Sequence, residues 1–330
     1  MTSSVKLSFC MPVYNREEFV SEAIESVLKL KNPKNYELVI VDGGSTDKTS
    51  LICASYAKKF SQIKYFRDKK NYGFLDGFKK CIQYTHGRYL FFVPSDDILL
   101  LRSFDPLIKK MDDNDNLAII STNLRLFTYS VVNYSKNVVF FKGTKKFRAG
   151  KNALYHWVTQ STLASVGGAL FRSKIAKKYI NLVPDTANYF PMMYLGGLIA
   201  DRYNVLHYNC FSFAQRLSNE THQMANKQYL SMSVFEELLL LINSFNLDRT
   251  AKKKLLRLNV DGYVGSLISM RCFARFTIYL RFVSFLIKNN PFVLLKPKFY
   301  VYLFISLLVP KIILFKLLKL YRHRKRWLSL

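Results

Sequence analysis

Acids are scarce in this chain. Its 330 residues carry 22 Asp and Glu against 50 Lys and Arg, a formal net charge of +28. Such an imbalance calls for an anionic partner: nucleic acid, anionic lipid or a phosphorylated substrate. Cysteine is sparse as well. Cys10, Cys53, Cys81, Cys210 and Cys272 form an odd, scattered set without a Cys-x-x-Cys pair, which argues against a disulfide scaffold or a zinc site and for reduced thiols in the cytoplasm. The N-terminus shows no signal-peptide pattern. There is no Gly-x-Gly-x-x-Gly after the first strand-like run, so a dinucleotide fold is poorly supported, and no Gly-x-x-x-x-Gly-Lys-Ser/Thr, which removes a P-loop. No apolar run reaches the ~20 residues of a spanning helix. Half the residues are nonetheless hydrophobic, enough for a real core and too many for wholesale disorder. The length fits two domains, or one large domain with an appendage.

What is present is organised around residues 87–98, Gly-Arg-Tyr-Leu-Phe-Phe-Val-Pro-Ser-Asp-Asp-Ile. The run 89–93 reads as a buried strand that ends in two adjacent carboxylates, Asp96 and Asp97. In an open α/β sheet ligands bind at the carboxyl ends of the strands. Two hard carboxylate ligands placed there suit Mg²⁺ or Mn²⁺ held against phosphates. A second role fits Asp97, N-cap of the next element, with Asp96 solvated.

Around this stretch, residues 5–13, 36–41 and 63–66 read as strands. Residues 17–30, about 46–60 and 74–84 read as helices, the second capped by Ser45 or Thr46. Strands alternating with helices at this spacing predict βαβ units and a largely parallel sheet. Polar residues then fall at successive strand ends: Asn15, Asp42, and Asp96 with Asp97. Asp42 can accept a hydrogen bond from a base or ribose while a metal at Asp96 holds a diphosphate.

Four motifs, Pro12-Val13-Tyr14-Asn15-Arg16-Glu17, Val41-Asp42-Gly43-Gly44-Ser45-Thr46-Asp47, Asn71-Tyr72-Gly73 and Ser95-Asp96-Asp97, resemble family 2 glycosyltransferases of the GT-A fold in order and spacing. Within that family the Asn-x-Gly-Phe and Ser-Asp-Asp phrases are closest to abequosyltransferase-like enzymes of bacterial O-antigen assembly. The resemblance implies a nucleoside-diphosphate sugar as donor and a divalent metal, Mg or Mn, as cofactor. It implies that Pro12 and Tyr14 line the nucleobase pocket, that Glu17 belongs to the donor-binding set, that Asp42 bonds the base, and that Asn71 lies near the ribose and phosphate. By the same resemblance Asp96 binds the metal and Asp97 assists it or orients the sugar. One departure stands out: Pro94 occupies the first carboxylate position of the usual Asp-x-Asp motif.

From about residue 117 to 246 the pattern thins. Strands are expected at 117–122, 130–141 and 205–215, and helices at 150–158 and 226–245. The resemblance implies inverting transfer with a general base in this region. Asp185 is the nominee, although a helix-start role fits it equally. Asp201 is the alternative, with an ion pair to Arg202 as its plain reading. Arg216, opening a polar loop after a strand, is a candidate clamp for the diphosphate.

Beyond Asp261 no acid remains, while thirteen Lys and Arg do, interleaved with Phe, Tyr, Leu and Ile. Such a segment reads as lying in a membrane interface. A spanning helix, a packed helical appendage and a nucleic-acid-binding tail are the rivals; the long aliphatic blocks are unlike a phosphate-tracking stripe, so nucleic acid is not expected as a partner.

The expectation is therefore an α/β protein of GT-A fold with a mostly parallel central sheet and a C-terminal helical, basic, amphipathic segment. Residues 1–125 would hold the donor, 126–246 the acceptor, and 247–330 would associate with the membrane. The expected partners are the nucleotide sugar, a polyprenyl-diphosphate-linked glycan acceptor and the anionic inner face of the plasma membrane. The same fold serving capsule or teichoic acid is the near alternative. A nucleotide- or nucleic-acid-binding protein that has lost catalysis is the distant one.

Overall fold

The computed structural model describes residues 5–30, 35–102, 104–127, 134–138, 142–161, 167–216, 232–264 and 266–317. The chain divides into two compact units, Met1–Leu217 and Ser218–Leu330. The first begins β1 (Leu7–Val13), α1 (Val20–Leu28), β2 (Tyr36–Asp42), α2 (Thr49–Lys59), β3 (Ile63–Arg67), α3 (Phe74–Tyr84) and β4 (Tyr89–Phe92), the βαβ alternation expected from the sequence. It continues through β5 (Ile98–Leu99), α4 (Asp105–Asp112), β6 (Leu117–Phe127), β7 (Tyr134–Val138), β8 (Lys145–Phe147), α5 (Lys151–Ser161), β9 (Ala169–Arg172), α6 (Ser173–Ile180), α7 (Pro191–Ala200) and β10 (Asn204–Arg216).

These strands form one sheet in the order β3-β2-β1-β4-β9-β6-β10-β5, with β7 beside β6 and β8 beside β10. Strands β3, β2, β1 and β4 are parallel. Strand β9 runs antiparallel to both β4 and β6, and β10 is parallel to β6. Six of the eight strands along that path therefore point one way, so the sheet is mostly parallel. The order reverses at β1, where β2 and β3 lie to one side and β4 to the other. Such a switch point opens a crevice at the carboxyl ends of the two central strands.

β1 and β2 are near-continuous apolar runs because both faces of the sheet are covered. On one face Leu7, Phe9, Met11 and Val13 pack with α1 (Val20, Ile24, Val27) and α4 (Leu107, Met111). Phe9 meets Tyr36, Phe91 and Phe104 edge-on at 5.3–6.2 Å. A buried ring of this kind is worth roughly 3–5 kcal/mol over alanine. On the other face α3 stacks Phe78 on Phe92 at 4.3 Å. Gly77 of α3 lies against β1, where an added Cβ would sit in ordinary contact 3.4 Å from Pro12 Cβ.

Several local expectations change. Ser45 and Thr46 do not cap α2; the carboxylate of Asp47 accepts the Thr49 N–H at 2.9 Å instead, because the Ser45 hydroxyl is committed to Asp42. Helix α1 begins at Val20 rather than at 17. Strand β9 and helices α6 and α7, none of them expected, complete the unit. Of the strand expected at 130–141 the structure describes 134–138; the rest, like 226–231 and the basic end 318–330, lies outside the described residues.

The second unit is helical: α8 (Met232–Ser244), α9 (Arg249–Tyr263), α10 (Ser266–Phe273), α11 (Phe276–Asn289), a 3-10 turn (Pro291–Leu295) and α12 (Pro297–Leu308). Helix α8 belongs to this unit, although the sequence pattern groups it with the acceptor half. Phe235, Leu267, Met270, Tyr279, Phe282, Leu286 and Phe299 make its core.

His156 on α5 is a buried titratable group with a defined consequence. It stacks on Phe147 at 3.6 Å and meets His207 edge-on at 5.9 Å. Burial, then the neighbouring His207 and Lys145, lowers its pKa from 6.5 to about 3. The folded state keeps the ring neutral while the unfolded chain protonates it. Its contribution is thus complete above pH 6.5 and is lost as the pH falls towards 3. Between pH 6.5 and pH 5, wild type should lose roughly 1.5 kcal/mol more stability than His156→Phe. Urea denaturation at the two pH values checks this; parallel losses would show that His156 ionises freely in the fold.

Candidate active site

Three loops meet at the switch point: 14–19 after β1, 43–48 after β2, and 93–97 after β4. The first two are laced together. Asn15 adopts φ 48°, a left-handed conformation that Asn tolerates better than most residues. Its N–H donates to Ser45 Oγ at 3.0 Å, and its Oδ1 accepts the Thr46 N–H at 2.9 Å. The Arg16 N–H donates to Thr49 Oγ1 at 2.7 Å, and the Glu17 N–H to Asp47 Oδ2 at 3.2 Å. Glu17 answers by accepting the Lys48 N–H at 2.8 Å. Glu17 thus braces one loop against the other.

Asp42 anchors this lacing. Its side chain is 0% exposed. Oδ1 accepts the N–H and hydroxyl of Ser45 at 2.8 and 2.6 Å, and Oδ2 accepts the Tyr65 hydroxyl at 2.8 Å, with Arg67 Nε at 3.7 Å. Burial and the adjoining carboxylate push the Tyr65 phenol up, so it stays a donor. Both oxygens of Asp42 thus accept hydrogen bonds within the chain.

The opening beside Asp42 collects other expected residues. A Cβ on Gly43 would lie 3.6 Å from Asn71 Oδ1 and 3.9 Å from Tyr14 Cβ. Tyr14 and Asn71 are both exposed there, and Pro12 is half-buried beneath α3. Asn71 Oδ1 accepts the Gly73 N–H at 2.7 Å, closing the turn into α3. Gly73, at φ 95°, needs the freedom of glycine. Tyr14 and Asn71 thus lie together beside the Gly43 backbone, while Pro12 packs against α3.

Across the switch point the Val93 N–H continues the sheet by donating to Cys10 O at 2.9 Å, and Pro94 to Asp97 form a turn. Asp96 keeps 13% of its side chain exposed and lies 3.7 Å from Arg16 Nε. Asp97 is buried, and Oδ1 accepts the Arg216 N–H at 2.8 Å. Burial, then the charge of Asp96, pushes the Asp97 carboxyl well up, against the opposing pull of Arg216. Asp97 leads directly into strand β5, so it caps no helix. Arg216 is itself buried. Its Nε donates to the Asp96 carbonyl at 3.0 Å, its guanidinium pairs with Glu22 of α1, and Phe19 and Phe127 lie 4.9 and 4.5 Å from it. A guanidinium so enclosed positions the acidic turn; it is not the open phosphate clamp expected from the sequence.

Asp185 is displaced from its nominated role. Its side chain is 94% exposed and paired with Lys79 at 2.8 Å. The hydrogen bond and charge of Lys79 hold its carboxyl below the usual range, which makes it a weak proton acceptor. Asp201 pairs with Arg202 at 3.3 Å, the plain reading. Beside the acidic turn, a cavity of about 490 Å³ is lined by Glu22, Lys29, Leu99, Arg102, Arg125 and Phe211 among others.

The family model for "Glycosyl transferase family 2" matches residues 8–180, more than half of the chain and all three loops. The chain belongs to glycosyl transferase family 2. A curated relative in this family, an uncharacterized glycosyltransferase of Rickettsia felis, is 40% identical over 110 residues, 33% of this chain and 18% of its own. A second is the Escherichia coli UDP-Glc:α-D-GlcNAc-diphosphoundecaprenol β-1,3-glucosyltransferase WfgD. It is 29% identical over 145 residues, 44% of this chain and 54% of its own. The chain thus spans a fifth to about half the length of these relatives. Among solved structures, Staphylococcus aureus TarS 1–349 in complex with UDP-GlcNAc superposes with TM-score 0.63 over 87% of this chain and 82% of that one, at 16% identity. That likeness establishes the GT-A architecture.

Family 2 members are expected to use a divalent cation, and the donor set here fits one. No group of three or more His, Cys, Asp or Glu that could hold a metal occurs among the described residues. Mg²⁺ needs no such cage, because it binds through one or two carboxylates plus substrate phosphates and water. Asp96 offers an accessible carboxylate, with the buried carboxyl of Asp97 behind it and Arg16 beside it.

Arg16, Glu22, Tyr65 and Arg67 were missed from the sequence, and Ser45, expected as a helix cap, serves Asp42 instead. Tyr65 and Arg67 had left a trace: two residues apart on β3, they share one sheet face beside the end of β2, in register with Ile40 and Asp42. Arg216→Ala would take from the Asp96 carbonyl its guanidinium donor while Glu22, 47% exposed, turns to solvent, and is expected to cost roughly 1–3 kcal/mol. Arg216→Lys should recover only part of this, since an ammonium lacks the planar fork. Equilibrium denaturation of the two variants checks the ranking, and equal stability of both with wild type would remove Arg216 from this role.

Proposed function

We propose that this chain is a metal-dependent glycosyltransferase that moves a sugar, with inversion, from a nucleoside-diphosphate donor to a lipid-linked glycan in bacterial surface polysaccharide synthesis. The observation that carries the proposal is that the loops bearing Tyr14, Gly43 and the acidic turn leave the same ends of the adjacent strands β1, β2 and β4, with Arg16 of the first loop 3.7 Å from Asp96 of the third. Tyr14 and Pro12 would line the base, and the floor at Gly43 would admit the ribose without steric conflict. Asn71 would stand towards the ribose and phosphates. Asp96, seconded by Asp97, would hold Mg²⁺ or Mn²⁺ on the diphosphate. A cation so held neutralises charge on the departing nucleoside diphosphate. Arg16, beside Asp96, adds a second positive charge to the same place.

For the acceptor, support comes from the E. coli relative, whose name records a diphosphoundecaprenol-linked substrate. The basic lining of the cavity beside the acidic turn also suits a diphosphate. A teichoic-acid-type phosphodiester polymer would meet the same lining, and a Bacillus subtilis relative is named for minor teichoic acid biosynthesis, GgaB. The proposed place of work is the inner face of the plasma membrane, where a lipid-linked acceptor is presented. Among the described residues no helix is long and apolar enough to cross a membrane.

A thermal-shift panel with UDP, GDP, CDP and dTDP, each with and without Mn²⁺, tests the donor site. One diphosphate should stabilise the protein only with metal, by about 2.7 kcal/mol at roughly a hundred times Kd. Asp96→Ala should abolish both that metal-dependent shift and sugar transfer while melting near wild type without ligand. Stabilisation by none of the four would favour a chain that has lost catalysis.

A further inference from the structure

The last helices of the second unit expose a face that their own core does not use. On α12 the inward side is Phe299, which is buried in the core, and Ser306, whose hydroxyl meets that of Tyr279 at 2.5 Å. The outward side is Tyr300, Val301, Phe304, Leu307 and Leu308, at the three- and four-residue spacing of a single helical stripe. Phe304 is 56% and Leu308 77% exposed. A soluble helix carries polar side chains on that stripe; this one carries only the Tyr300 hydroxyl. The apolar surface continues on both sides of the helix, through Leu294 and Leu295 before it and Ile312, Ile313 and Phe315 after it. Lys296, Lys298, Lys311 and Lys316 border it, all but Lys296 well exposed.

We propose that this stripe is a docking surface that seats the helical unit in the interface of an anionic membrane. Charge complementarity selects that occupant. No Asp or Glu follows Asp261 anywhere in the chain, so the stretch that bears the stripe holds no acid to offset its lysines at an anionic lipid surface, whereas a second copy of this face would bring like charges together. Geometry excludes a spanning role, because the twelve residues of α12 rise only ~18 Å against a hydrocarbon core of ~30 Å. A short helix, apolar outward and flanked by lysines whose stems reach to the headgroups, suits the plane of the interface. This deepens the location proposed above and rests on the helical unit alone, whether or not the first unit transfers sugar.

The experiment is co-sedimentation of the full chain with vesicles of phosphatidylcholine alone or mixed equally with phosphatidylglycerol. Wild type should bind the mixed vesicles and bind neutral ones roughly tenfold more weakly. Phe304→Asp with Leu308→Asp should cut binding to the mixed vesicles at least about tenfold. Lys298→Glu with Lys311→Glu should erase the lipid preference while leaving the stripe apolar, so a folding defect in the first variant does not decide the outcome. Wild-type binding indifferent to lipid charge, or apolar-face variants that bind as wild type, overturns the proposal. So does a wild-type dimer that dissociates on Phe304→Asp and never binds vesicles, which would assign the face to a second copy. The nucleotide thermal shift on the same samples separates the two readings. Vesicle binding without a nucleotide shift faults the transferase reading alone, and the reverse faults this surface alone.

Discussion

A carboxylate removed from water must be compensated by its surroundings, and the first unit is built around two that are. Asp42, at the end of β2, gathers both donors of Ser45, the Tyr65 phenol and Arg67. Ser45 in turn receives the Asn15 N–H, so satisfying one buried charge fixes the loop after β1 as well. Because β1 and β2 pair in parallel with Val13 opposite Asp42, the two loops start level. The backbone floor at Gly43 results from that register.

The second buried carboxylate, Asp97, draws its compensation from the far end of the same unit. Arg216 supplies a backbone N–H to Asp97 and a guanidinium to the Asp96 carbonyl, and Glu22 of α1 balances the guanidinium. The result is a division of labour between neighbours: Asp97 is tied inward and Asp96 is left outward. Adjacent acids in sequence thereby acquire different environments, the condition under which one can act as a ligand while the other holds shape.

The sequence made the strands β1 to β4 and their polar ends legible because the βαβ pattern is local: apolar runs, glycine turns and helical stripes each lie within a dozen residues. The neighbours Tyr14 and Asn71 beside Gly43 drew notice for the same reason, through their motifs. What was hidden depends on long-range pairing. Strand β9, four residues antiparallel between β4 and β6, carries no periodicity long enough to announce itself. The engagement of Asp42 by Tyr65, 23 residues on, and of Asp97 by Arg216, 119 residues on, is invisible until the sheet order is known. Asp185 drew notice as a lone acid in a region of few, yet Lys79, 106 residues earlier, claims it.

The reach from Asp97 to Arg216 has a consequence for the order of assembly. The segment that matches the family model ends at residue 180, before β10 has begun. A nascent chain of that length would own all three loops but lack the strand that pairs with β5 and closes on the acidic turn. Strand β6 would stand without its parallel neighbour, an unpaired edge open to other chains. The acidic turn at Asp96 and Asp97 is therefore complete only once β10 is in place, so a strand outside the family match finishes what the motifs begin.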